Sequence, residues 1–301
     1  MNTDANRRLP QGEEIFLDHV GHFVRDPQAA SRALARAGFA PTPVSIQSDA
    51  AGQPTGTGNI TAMLDRGYIE VLFKTADTEI GREFDASVML HAGVHLAAFA
   101  VADADRAHAR LGGAGFKMRP LVNFSRPVGT ESGTGVAAFT VVRVERGVMP
   151  EGRIQILTHR TEDAVWQKRW LNHPNGAVGL ADLAIVVANE VEATARFARF
   201  TDRAMVSNRF GSEVILDRGR VQLMTALAFS ALLPEVRLPS LPFQGAYGIE
   251  VRSLDAAEAI LRRGNLAARR IGKALVANFP AELGVGAWLF VERAADLPWR
   301  G

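Results

Sequence analysis

Apolar and polar positions alternate along this chain in bursts that return four times. LDHVGHFVRD (17–26) followed by RGYIEVLF (66–73) is echoed by VHLAAFAVAD (94–103) followed by GRIQILT (152–158). A third copy reads LADLAIVVAN (180–189) with GRVQLMT (219–225), and a fainter fourth reads YGIEVRSLD (247–255) with GAWLFVE (286–292). A recurring period of this size fixes architecture before any local reading does.

The first copy predicts the unit. Residues 15–24 suit a strand. Asp26 then precedes Pro27, an N-cap followed by proline at the first helical position. Ala29, Ala30, Ala33, Leu34 and Ala37 follow at helical spacing, and Gly38 stops the helix. The prolines of PTPVSIQ (41–47) restrict it to a short or edge strand, 49–58 reads as a loop, and strands at 59–65 and 67–73 meet at a turn near Arg66-Gly67. The unit predicted is β-α-β-β-β.

The second copy gives a strand at 94–101, a helix capped by Asp103, a stop at GGAGF (112–116), a strand at 117–122, a long polar loop at 123–135 and closing strands at 136–145 and 153–159. The third and fourth copies span about 178–227 and 245–293. A Trp-, Arg- and Pro-containing linker at 164–177 separates two pairs, so the domains expected are 14–165 and 177–301. The fold class expected is α+β: four βαβββ units paired into two curved mixed sheets.

Composition adds bounds. At 301 residues and 47% hydrophobic the chain buries a substantial core. It has no cysteine, which excludes disulfides, thiolate ligands and a cysteine nucleophile. The opening stretch 1–14 is polar and lacks an apolar core, and apolar runs elsewhere fall short of a span, so no signal peptide and no membrane partner are expected, and the location expected is cytoplasmic. The net charge of +2 comes from mixed basic and acidic residues. The one basic cluster, 262–273, has no interleaved aromatics and reads as a solvated helix end, so no nucleic-acid partner is expected. LGGAGF follows a helix instead of a strand and lacks the dinucleotide-binding context, and TGTGN (55–59) has no P-loop lysine.

The chemistry lies in the first two copies. Strand alternation puts Leu17, His19, Gly21 and Phe23 on one face, and Tyr68, Glu70 and Leu72 on one face of the closing strand. If these strands are neighbours, His19 and Glu70 converge. A pseudo-two-fold would bring His95 and Gln155 to the same point, giving a cage for a divalent ion with open positions. Spacing complicates this: His19 lies seven residues before Asp26, but His95 lies eight before Asp103. Strict alternation would present Leu96; a β-bulge would restore His95. His22 reads as packed against the helix, His91 and His108 as exposed, and His159 and His173 as structural or at a pocket rim. Asn59, Arg126, Arg143 and Trp166 are positions that could meet an anionic or aromatic substrate.

These motifs resemble the vicinal oxygen chelate superfamily, which includes glyoxalase I and extradiol ring-cleaving dioxygenases. The HLAAFAVAD segment (95–103), MPEGRIQ (149–155) and WLNHPNGA (170–177) are similar to bacterial glyoxalase-like proteins. The resemblance implies metal ligands at His19, Glu70, His95 and Gln155, with Glu70 as base, and a divalent metal such as Zn, Ni, Fe or Mn. The matching points in the other copies are Asp182 and Gln222, then Ala246 and Trp288, so the C-terminal pair is read as degenerate. The function implied is a metal-dependent lyase or isomerase acting on a small carbonyl-containing or vicinal-oxygen substrate. The alternatives are an Fe(II) dioxygenase using His19, His95 and Glu70, and a non-enzymatic binding protein. Monomer and homodimer both remain open.

Overall fold

A computed structural model describes residues 8–49, 52–131 and 133–300. Parts of the polar opening stretch and of both expected loops therefore lie outside the described residues.

The first unit is β1 (Ile15–Phe23), α1 (Pro27–Arg36), β2 (Ser45–Ser48), β3 (Pro54–Met63) and β4 (Tyr68–Lys74). A connecting helix α2 (Glu79–Leu90) leads to the second unit: β5 (Gly93–Val101), α3 (Ala104–Gly113), β6 (Val122–Thr130), β7 (Gly133–Arg143) and β8 (Arg153–His159). One helical turn, α4 (Glu162–Val165), precedes the third: β9 (Ala177–Val186), α5 (Glu190–Thr201), β10 (Met205–Asn208), β11 (Gly211–Ile215) and β12 (Arg220–Met224). Helix α6 (Ala226–Leu232) leads to the fourth: β13 (Phe243–Val251), α7 (Leu254–Arg263), β14 (Ala268–Ile271), β15 (Ala274–Asn278) and β16 (Ala287–Val291). All four units are βαβββ.

Local chemistry explains the units. The Asp26 carboxylate accepts from the backbone N–H groups of Gln28 and Ala29, and Ala30, Ala33 and Leu34 form the buried stripe of α1. Asp103, Asn189 and Ser253 cap the matching helices in the same way. At the β3–β4 turn Gly67 has φ +78°, and a Cβ there would lie 2.6 Å from the carbonyl oxygen of Asp18. Only glycine fits that approach.

Two expectations need correction. The stretch 123–135 is not a loop: its described residues form most of a nine-pair hairpin between β6 and β7, and β6 begins at Val122 instead of ending there. The stretch 49–58 gives way to β3 from Pro54 onward. Both contain glycine and proline in alternation with polar residues, which reads as turn chemistry. Here the alternation instead reflects strands with one face turned to a cavity. Helix α2 was not foreseen.

The first half closes on itself. Its strands run β1-β4-β3-β2-β6-β7-β8-β5, and β5 returns to pair with β1. The seam between β2 and β6 is a single pair, Ser48 with Ser125. The second half is an open sheet, β10-β11-β12-β9-β13-β16-β15-β14. One pair, Gln244 with Val94, joins β13 to β5. A single apolar cluster runs from Val20 and Leu34 in the first half to Phe197, Tyr247 and Trp288 in the second.

The linker is stitched down. His173 accepts from the Ala40 N–H through Nδ1 and donates through Nε2 to the Met63 carbonyl, while Asn175 donates to the Ala37 carbonyl. Among the described residues, no helix is long and apolar enough to cross a membrane.

Candidate functional site

The closing ladders put the four units on a common register. His19 pairs with Tyr68, and two residues on Gly21 pairs with Glu70. The corresponding pairs are Leu96–Arg153 and Ala98–Gln155, then Asp182–Arg220 and Ala184–Gln222, then Ala246–Ala287 and Gly248–Leu289. Leu96 therefore stands where His19 does. In the fourth unit Leu289, not Trp288, occupies the position of Glu70.

The bulge that would restore His95 exists, but it does not bring His95 to the site. The β1–β5 register skips His95 between Gly21–Leu96 and His22–Val94. The freed side chain packs on Phe23 and His91 and bonds to the His91 carbonyl at 2.8 Å. It lines a separate cleft with Glu83, Arg119 and Arg146. His19, Glu70 and Gln155 line one cavity inside the closed barrel, of about 90 Å³, and Leu96 completes that wall.

A second bulge in the same ladder falls between Leu17 and His19 and leaves Asp18 unpaired. A bulge sets neighbouring residues out of alternation, and Asp18 meets His19 side chain to side chain. His19 Nδ1 donates to Asp18 Oδ2 at 2.7 Å, and His159 Nε2 donates to Asp18 Oδ1 at 3.0 Å. Burial alone would raise the Asp18 pKa; His159 and then His19 outweigh it and hold the carboxyl well below its usual range. With Nδ1 committed to Asp18, His19 turns Nε2 toward Glu70, whose Oε2 lies 3.5 Å away. Asn59 Nδ2 donates to the other oxygen, Oε1, at 2.6 Å. Tyr68 stacks on the His19 ring at 4.3 Å. Burial first, then the Asp18 and Glu70 carboxylates, push the Tyr68 phenol far up, so it stays protonated. Trp166 closes this layer, edge-on to Tyr68, with its indole N–H on the Leu64 carbonyl.

The donors fit a divalent cation. A gap of 3.5 Å is long for a hydrogen bond. Two ligands each about 2.1 Å from a tetrahedral ion stand about 3.4 Å apart. A carboxylate behind a ligating imidazole is the usual outer-shell arrangement. Among the described residues no group of three or more His, Cys, Asp and Glu side chains is spaced to hold an ion; Gln155 lines the same cavity. Sequence reasoning placed Asp18 on the opposite face and His159 as structural or at a pocket rim, because a bulge leaves no mark in the alternation.

In the second half, the matching position is occupied by the chain itself. Asp182, at the His19 position, accepts from the Trp299 indole N–H at 2.9 Å and from both Nε and an Nη of Arg300. Gln222, at the Glu70 position, is bonded to Asn208, which also reaches the Trp299 carbonyl. Trp299 is 1% exposed. Segment 297–300 thus fills the second cup.

Comparison with known proteins agrees with this architecture. Residues 17–201 match the family described as glyoxalase-like domain. A hypothetical protein from Staphylococcus aureus superposes with a TM-score of 0.64 at 10% identity, covering 92% of this chain and 98% of that one. A mutant of 4-hydroxymandelate synthase from Streptomyces coelicolor gives 0.57 at 13% identity, covering 92% of each chain. An Mn(II)-bound glyoxalase from Novosphingobium aromaticivorans gives 0.52 at 16% identity, covering 94% of this chain and 83% of that one. No curated protein matches. With the family matched over more than half its length and the four-unit fold in place, the chain belongs to the glyoxalase-like domain family of the vicinal oxygen chelate superfamily.

Proposed function

We propose that this protein is a metal-dependent lyase or isomerase acting on a small carbonyl-containing or vicinal-oxygen substrate, with His19, Glu70 and Gln155 as protein donors to the ion. The observation that carries the reading is the His19–Glu70 pair at 3.5 Å, backed by Asp18 and facing a barrel cavity. A divalent ion held there would supply Lewis-acid polarisation of a substrate oxygen.

The chain's own groups do the rest. Asp18 keeps the His19 proton on Nδ1 and the lone pair on Nε2. Tyr68 fixes the plane of the imidazole. Glu70 is the sole carboxylate among the described lining residues, which makes it the group to take a proton from substrate and return it. Asn59 anchors one Glu70 oxygen, so the other stays aimed into the cavity. The iron dioxygenase alternative needs His95 beside His19 and Glu70, and His95 lines another cleft; we therefore favour the lyase or isomerase.

The test is metal content of protein purified without added metal, together with turnover of hemithioacetals. Stoichiometric metal that is lost in His19→Ala and Glu70→Gln supports the reading. Unchanged metal content in both variants, or no metal and no metal-dependent thermal shift in the parent, overturns it.

A further inference from the structure

The cavity holds more positive charge than its own residues use. Three arginines line it: Arg126 from β6, Arg143 from β7 and Arg153 from β8. Arg153 is engaged, donating to Glu83 at 2.6 Å and lying over the Phe23 and Phe84 rings. Arg126 and Arg143 are not. Both are half-buried, and neither forms a hydrogen bond or an ion pair among the described residues. Arg143 Nε is shut away from water with no partner, and the guanidinium stands over Phe124 at 5.3 Å. A buried cation without a partner is costly to keep unless something supplies the opposite charge. Glu70 does so for Arg126, but Glu83, the carboxylate that acts on Arg143, is already shared by Arg119, Arg146 and Arg153.

The positions suit a ligand with two ends. Across the sheet His19 pairs with Ala98, Ala98 with Gln155, and Gln155 with Arg143, so Arg143 sits three strands from His19 on one row. At about 4.8 Å per strand that is about 14 Å along the wall, too far for direct contact and close enough for one small molecule to bridge. Between the ends the lining is apolar, with Leu72, Leu96, Phe124, Phe139 and Leu157.

We propose that the cavity selects substrates bearing a carboxylate on an apolar body, the carboxylate being received by Arg143 while the reacting end lies at His19 and Glu70. The inference rests on that cavity being the substrate site, and not on the ion. A planar guanidinium pairs with a carboxylate through parallel N–H donors, and such charge-assisted bonds are the stronger kind. Burial, with Arg153 and Arg119 adding to it, pulls the Arg143 pKa down to about 10, a cost that an incoming anion would relieve.

Calorimetric titration tests this, on the protein as purified and after chelation. The probes are phenylacetate, the neutral phenylacetamide and phenylphosphonate. Phenylacetate is expected to bind about 10- to 100-fold more tightly than phenylacetamide. Arg143→Met should shrink that preference without lowering the melting temperature, and Arg143→Lys should keep part of it. Equal binding of acid and amide overturns the proposal. So does the absence of phenylacetate binding up to about 10 mM, or variants that weaken both ligands alike. Tighter binding of phenylphosphonate overturns the carboxylate assignment. Because the preference is also read in chelated protein, its failure is distinct from loss of metal binding in His19→Ala.

Discussion

Lowering the pH should weaken this fold through His22. His22 is fully buried between the two halves. Its Nδ1–H donates to the Leu283 carbonyl at 2.9 Å, and its Nε2 accepts from the Tyr247 hydroxyl at 2.8 Å. Tyr247 oxygen in turn accepts from the Trp288 indole N–H at 2.7 Å. Every group is satisfied only while the imidazole is neutral. Burial above all pulls its pKa from 6.5 to about 4, with the bond to Leu283 opposing and His95 adding slightly. The folded pKa lies below the unfolded one, so the unfolded chain binds the extra proton. Stability is therefore whole above about pH 6.5 and falls as the pH drops toward 4. A gap of about 2.5 units at about 1.4 kcal/mol per unit gives a full loss of about 3.5 kcal/mol, of which about 3 kcal/mol is reached by pH 4. The assay is urea unfolding at a series of pH values for the parent and for His22→Gln. The gap between the two proteins should narrow by about 3 kcal/mol between pH 7 and pH 4. A constant gap across that range would refute the argument, since His22 would then contribute no proton linkage.

Three further outcomes follow from contacts already described. Gly67→Ala places a Cβ 2.6 Å from the Asp18 carbonyl at a positive φ and should cost about 1–3 kcal/mol by chemical denaturation, and a silent substitution would contradict the packing. Arg300→Ala leaves Asp182 buried without its cation and should cost about 3–5 kcal/mol near neutral pH. That loss should shrink in acid, because burial raises the Asp182 pKa even with Arg300 present; a loss that stays constant with pH would count against it. His95→Ala should leave metal content unchanged where His19→Ala removes it, and equal losses in elemental analysis would return His95 to the site.

The four units were legible because each announces itself twice, by an apolar strand ending in a cap residue and by a glycine turn before a closing strand. His19, Glu70 and Gln155 were legible as polar residues in apolar strands. The rest was hidden for physical reasons. Both register shifts in the β1–β5 ladder are decided by tertiary pairing, so the sequence shows neither the Asp18–His19 contact nor the diversion of His95. β6 and the first residues of β7 read as loop because a strand lining a cavity carries the same residues as a turn. Arg126 and Arg143 could be named as candidates, but the unpartnered Nε of Arg143 is visible only once the barrel is closed.

Segment 297–300 gives the second cup a ligand that never diffuses away. Trp299 and Arg300 engage Asp182 through a tether of a few residues, so their local concentration is on the order of millimolar or more whatever the solution contains. A free molecule entering that cup has to compete with a covalently attached occupant, and release of the occupant exposes Trp299 and strands the Asp182 charge. The two halves of one duplicated fold thus differ in occupancy: the first keeps a cavity, and the second is filled by residues of its own chain.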